Sequence, residues 1–211
     1  TEALENEFAL LGVPLKVRYL RGASARLDHT RSAPMGFSVL SAGAAHAYAA
    51  ATAFATYPLG EGTYYAPDSI VELSRAGADP ADPETRIGVD DASFDHTTLS
   101  TAQFGALENR KTVDVDFTTT PVALLQSEID VAIWHRMLLL ITPEMAGLVV
   151  RPLSARAVES LAPLAQAVFV ARNDNPYMRT IFAALSAARL TTTQREVMQR
   201  ISLDDGSTWY R

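Results

Sequence analysis

Apolar residues recur at helical spacing from the start of the chain, at Leu4, Phe8 and Leu11, and Gly12 follows them as a stop signal, so a first helix is predicted there. Two short β-prone runs come next, Pro14 to Arg21 ("PLKVRYLR") and Met35 to Ser41 ("MGFSVLS"), each leading into small residues at a helix start. Ser41 to Ala55 is rich in alanine and predicts a helix pressed closely against a sheet or another helix. Strands are predicted at Thr63 to Ala66 and at Ser69 to Leu73. The run "ADPADPET" after them mixes prolines with acids, has no apolar period and reads as a connector.

Beyond it the alternation resumes. The pattern predicts a strand at Arg86 to Val89, a helix from Phe94 to Leu107, a strand at Val113 to Phe117, a helix from Pro121 to Ser127 capped by Thr120, and a strand at Asp130 to Trp134. Returning strands are predicted in "AGLVVRPLS" and "QAVFVARND". An amphipathic helix follows, with Tyr177, Ile181 and Leu185 on one face, and a last helix in "TTTQREVMQRI" offers Val197, Met198 and Ile201 either as a dimer surface or as core.

Strands alternating with helices define an α/β fold with a parallel or mixed sheet. The acidic connector divides it into two lobes, residues 1–80 with 151–211 and residues 81–150. Ligands of open α/β sheets lie beyond the carboxyl ends of strands, which directs attention to "LRGAS", "VLSAG", "VDDAS", "FTTTP" and "IWHR".

Composition narrows the chemistry. The 211 residues carry a formal net charge of −6, which does not suit a surface that grips a phosphate backbone. Cysteine is absent, so disulfides and thiolate chemistry are excluded, and no apolar run reaches the roughly 18 residues of a membrane span. There is no nucleophile elbow, Walker loop, HExxH or glycine-rich dinucleotide fingerprint to support an enzyme.

The segments "RYLRGASARLDH", "FSVLSAGAAHAYAA", "RIGVDDASFDHTTL", "LLQSEIDVAIWH" and "VFVARNDNPYM" together resemble the carboxy-terminal domain of the YhfZ family of bacterial transcriptional regulators. The resemblance runs from about Leu15 to Met178. It implies a two-lobed fold like that of type 2 periplasmic solute-binding proteins and LysR-type effector domains, with a small ligand held in an interlobe cleft. It also implies a first strand and a winged-helix DNA-binding domain upstream of Thr1, a cytoplasmic location and a homodimer.

Arg21 precedes Gly22, Ala23 and Ser24, where a guanidinium and free helix N–H groups could meet one carboxylate or phosphate; a surface arginine paired with an acid is the alternative. Ser41 caps a helix or binds ligand, and capping is the simpler role. The cluster Asp90, Asp91, Asp95 and His96 raises a metal site, but a helix capped by Asp91 or Ser93, with Asp95 in its first turn, accounts for it more simply. Ser93 or Asp95 could then touch a ligand directly. Thr118, Thr119 and Thr120 offer hydroxyls, and Trp134 offers a flat apolar face with one donor, or a core residue.

The reading is an effector-binding domain that closes on a small polar, anionic metabolite through Arg21, Gly22, Ser24, Ser41, Ser93, Asp95, Thr119 and Trp134. It requires no metal or cofactor and no membrane contact. DNA would be reached only through the separate amino-terminal domain. The alternatives are a solute receptor for a transport system and an enzyme of the same fold using Asp90, Asp95 or His135.

Overall fold

A computed structural model describes residues 2–49, 53–60, 62–66, 68–136 and 146–203, with side chains as far as residue 197. It divides into two compact units, Thr1–Ala66 with Pro163–Asp204, and Pro67–Ala162. These bounds differ from the expected 80 and 150. The reason is that β3 (Ile70–Arg75) and β7 (Leu148–Arg151) hydrogen-bond into the sheet of the second unit.

The first unit holds an antiparallel sheet in the order β1 (Phe37–Ser41), β8 (Ala167–Arg172), β2 (Phe54–Pro58). Period-two alternation sends Phe37, Val39, Tyr57, Phe169 and Ala171 to one face, where they meet Phe8 of α1 (Glu2–Leu10) and Met178 and Phe182 of α7 (Pro176–Ala184). Phe8 stacks on Phe37 at 5.4 Å, and Phe182 contacts the rings of Phe37, Phe169 and Tyr57. α2 (Ala23–Ser32) and α3 (Ala42–Tyr48) pack near β1 and β8. Buried Glu7 fixes α8 (Ala187–Leu203) by accepting from the Arg189 guanidinium at 2.7 and 3.0 Å and from Ser186 N–H. The guanidinium holds the Glu7 carboxyl below its ordinary value against the opposing effect of burial.

Four expectations in this unit are corrected. Residues 14–21 form no strand: among the described residues no ladder borders them, and β-propensity needs a neighbour to pair with. The helix expected up to Ala55 ends at Tyr48, and Phe54 instead opens β2, whose ladder with β8 overrides local preference. Thr63–Ala66 is a turn that caps the sheet edge, where Tyr64 and Tyr65 N–H both reach Ala165 O. The last helix also starts earlier than expected, at Ala187; the side chains of Met198 and Ile201 lie outside the described residues.

The second unit is a mixed sheet, β5 (Lys111–Asp114), β4 (Arg86–Val89), β6 (Val131–His135), β3, β7. β5, β4 and β6 are parallel; β3 runs antiparallel to β6 and β7. Leu73, Ala132, Trp134 and Leu148 pack with Ala123 and Leu124 of α5 (Thr120–Leu125) in one core. α4 (Phe94–Phe104) lies against β4 and β6 and packs on α6 (Ala155–Leu161). Gly88 sits at a close approach, where a Cβ would press on Cδ1 of Ile129.

The ladder between β4 and β6 is short and Asp130 extends it. Its carboxylate accepts Arg86 N–H at 3.0 Å, the Arg86 fork at 2.9 and 2.7 Å, and Arg75 at 3.0 Å. On the other strands, buried Glu72 of β3 accepts from Arg151 of β7 and from Gln103 of α4, joining the sheet to its helix.

Candidate functional site

In the first unit Arg21, Gly22 and Ser24 stand at the start of α2, and Ser41 ends β1. Gly22 precedes α2 with φ 79° and ψ 159°, a region essentially reserved for glycine, and it supplies no side-chain acceptor to the helix start. α2 also has no acid in its first turn. Arg21 beside it is half-buried and Ser24 is exposed. Ser41 is fully buried and its hydroxyl accepts Ala44 N–H at 3.1 Å, the expected capping role.

Arg26, one turn into α2, is not among the residues singled out by sequence. Its guanidinium donates to Gly22 O at 3.1 Å, Val39 O at 3.0 Å and the Tyr64 hydroxyl at 3.2 Å, and so holds the Arg21–Gly22 turn against β1. Its place four residues after Gly22, on the same helical face as the turn, was the signal available. Tyr64 and Tyr65 meet edge to face at 4.7 Å.

In the second unit the strand ends converge on Asp90 and His96. Ser93 caps α4 by accepting His96 N–H at 3.3 Å, and Asp95 is buried in the first turn. Asp90 is buried; one carboxylate oxygen accepts Ala92 N–H at 3.2 Å and the other accepts Phe117 N–H at 3.0 Å. Asp90 N–H donates to Nδ1 of His96 at 2.8 Å, while Nε2 of the same ring lies 2.9 Å from Ile133 O. The Asp90 carboxylate gathers with those of Asp91 and Asp114 and not with that of Asp95, and Asp91 N–H donates to Asp114. His96 turns both ring nitrogens to backbone.

The threonine run is arranged differently from expectation. β5 ends at Asp114, and a 3-10 turn over Phe117–Thr119 is capped by Asp116, which accepts Thr118 N–H at 2.8 Å and the Thr118 hydroxyl at 2.6 Å. Thr120 lies inside α5 and does not cap it; Thr119 is exposed, its hydroxyl donating to Asp116 O at 3.0 Å. An aspartate two residues ahead of the threonines outcompetes a hydroxyl as the acceptor.

Trp134 is 2% exposed and its ring lies 4.5 Å from Phe117, whose own ring meets His96 edge-on at 5.5 Å. One face of the indole is thus occupied within the core, and its Nε1–H is buried with no hydrogen-bond partner. His135 at the end of β6 is half-buried, and burial lowers its pKa.

Two sheets carrying short helices, with polar side chains gathered at strand ends, define the type 2 periplasmic-binding-protein class of α/β fold. Comparison with solved structures agrees. Those it is similar to include the alkanesulfonate-binding protein SsuA from Xanthomonas axonopodis pv. citri bound to MOPS (12% identity, 95% of this chain and 71% of that one, TM-score 0.66). OxyR of Corynebacterium glutamicum matches at 10% identity over 95% of this chain and 61% of that one, with a TM-score of 0.60. YhfZ from Shigella flexneri matches at 22% identity over 94% of this chain and 82% of that one, with a TM-score of 0.64.

The YhfZ C-terminal domain family matches residues 1–204, and the chain belongs to that family. No curated protein matches it in sequence. Among the described residues no helix is long and apolar enough to cross a membrane.

Proposed function

We propose that this chain is the effector-binding domain of a bacterial transcriptional regulator and that it binds a small polar, anionic metabolite. The observation that carries the reading is the start of α2, where Gly22 leaves the helix N-terminus without a side-chain acceptor beside Arg21. A carboxylate, phosphate or sulfonate would supply the missing acceptor and meet the favourable end of the helix dipole. Arg21, Gly22, Ser24 and Ser41 serve the ligand from the first unit. In the second unit, taken by itself, Ser93, Asp95, Thr119 and Trp134 are the candidate polar residues, Trp134 through its unpartnered N–H. The likeness to OxyR supports regulation, and the likeness to a sulfonate-binding protein supports the anion.

In this reading the protein acts in the cytoplasm as a homodimer, and DNA contact belongs to a separate amino-terminal segment. A solute receptor for a transport system is the second reading, favoured by the likeness to SsuA.

The test is a thermal-shift screen of the purified chain with small carboxylates, phosphate monoesters and sulfonates, each beside its neutral amide or alcohol analogue. A ligand at a hundred times its Kd stabilises by about 2.7 kcal/mol, a readily measured shift. Binding by at least one anion, weakened by Arg21→Met, supports the proposal. Failure of every anion, or indifference to Arg21→Met, sinks it.

A further inference from the structure

We infer that His96 is a positioning residue whose neutral ring locks together the three parallel strand ends of the second unit, and that a proton taken up on Nδ1 opens the lock. The hydrogen bonds decide the tautomer. Asp90 N–H is a donor with no alternative, so the Nδ1 it meets at 2.8 Å must carry a lone pair. The ring proton therefore sits on Nε2 and is donated to Ile133 O at 2.9 Å. Only the neutral Nε2–H form satisfies both contacts, and a second proton would set N–H against N–H.

The contacts reach all three strands. Asp90 follows β4, Ile133 belongs to β6, and Phe117 follows β5, with its N–H on the Asp90 carboxylate and its ring against the imidazole. The ring is 3% exposed, so water is poorly placed to replace a broken bond. Displacing Asp90 N–H therefore disturbs the residue whose carboxylate also holds the Ala92 and Phe117 N–H groups.

The ionisable groups around the lock are few. Just after β4, Asp90 lies beside the ring and favours its charged form; Asp91 and Asp114 beyond it are exposed. Asp95 shares the helix, and Asp116 stands before the Phe117 turn, its carboxylate on Thr118. On β6 there is His135; on β3, Glu72 is engaged with Arg151 and Gln103. On α6, Arg156 and Glu159 are exposed, as is Glu108 in the short turn after α4. Burial outweighs the pull of the Ile133 carbonyl and of Asp90, and holds the imidazole pKa below its ordinary value.

Ser93, Thr119 and Trp134 lie at the ends joined by the lock, so the proposed ligand face would loosen in acid; that clause rests on the function proposed above, and the lock itself does not. The test is 15N NMR of the histidine-labelled full chain, with amide shifts, from about pH 8 to about pH 5. The expected result is an Nε2–H tautomer at neutral pH and a midpoint below the ordinary histidine value of about 6.5, with the Asp90 and Phe117 amides moving at the same midpoint. An Nδ1–H tautomer, a midpoint at or above about 6.5, or an Asp90 amide blind to the titration overturns the inference. His96→Asn keeps an acceptor without a titrating ring and should abolish the acid response of the Asp90 amide, whereas persistence of that response also refutes it. Should this variant not fold, the wild-type titration decides alone. A failed anion screen would strike the ligand reading and leave these outcomes unchanged.

Discussion

Replacing Asp130 with asparagine removes a charge at the foot of the β4–β6 pair while leaving the side chain's size nearly unchanged. The carboxylate receives four hydrogen bonds, three from Arg86 and one from Arg75, and is only 18% exposed. The Arg86 fork is the chief cause of its pKa falling from 3.8 to about 2, with burial opposing and Arg75 assisting. At about 1.36 kcal/mol per pH unit, that shift corresponds to roughly 2.4 kcal/mol of stability. Both arginines are 39% exposed, so solvent screening reduces the expected value to about 1–2 kcal/mol.

The sign follows from the lowered pKa. The contribution is fully present above the unfolded value near 3.8 and disappears as pH falls through about 2. Urea unfolding of wild type and Asp130→Asn, followed by circular dichroism across this range, measures it. The gap should be about 1–2 kcal/mol at neutral pH and close by about pH 2. A gap that is absent at neutral pH, or that persists unchanged in acid, refutes the electrostatic account.

Other substitutions probe backbone demands. Gly88→Ala forces a Cβ into Ile129 and should destabilise the second unit by about 1–3 kcal/mol in urea titration, whereas a neutral result would show that Ile129 can move aside. Gly22→Ala imposes a side chain on φ 79° and should cost about 1–3 kcal/mol in the same measurement. Asn175→Ala removes the cap that accepts Tyr177 and Met178 N–H, and the bond to Pro34 O; a loss of about 1–2 kcal/mol is expected, and one near zero would mean the cap is replaced by water.

The second unit was the more legible in sequence because its buried strands announce themselves as apolar runs closed by polar residues, as at Arg86–Val89 and Asp130–Trp134. β2 was hidden because Phe54 and Ala55 close an alanine-rich run, and their state is decided by β8, more than a hundred residues away. α6 went unseen because "ARAVESL" has a weak apolar stripe and depends on packing against α4.

Among the candidate residues, the caps at Ser41 and Ser93 were readable from local rules. The roles of Arg26 and Phe117 were not, since each depends on contacts between elements distant in sequence. Asp90 and His96 were visible as residue types, yet their bond to each other runs through a backbone N–H, which no side-chain motif records.

β1 borders only β8 among the described strands, and the carbonyl of Val39 on it is taken by the Arg26 guanidinium. A cation and its stem therefore stand where a passing strand would need an acceptor. Such a plug guards the folded chain against edge-to-edge polymerisation at high concentration, and it does so with a residue that also steadies the turn at Gly22.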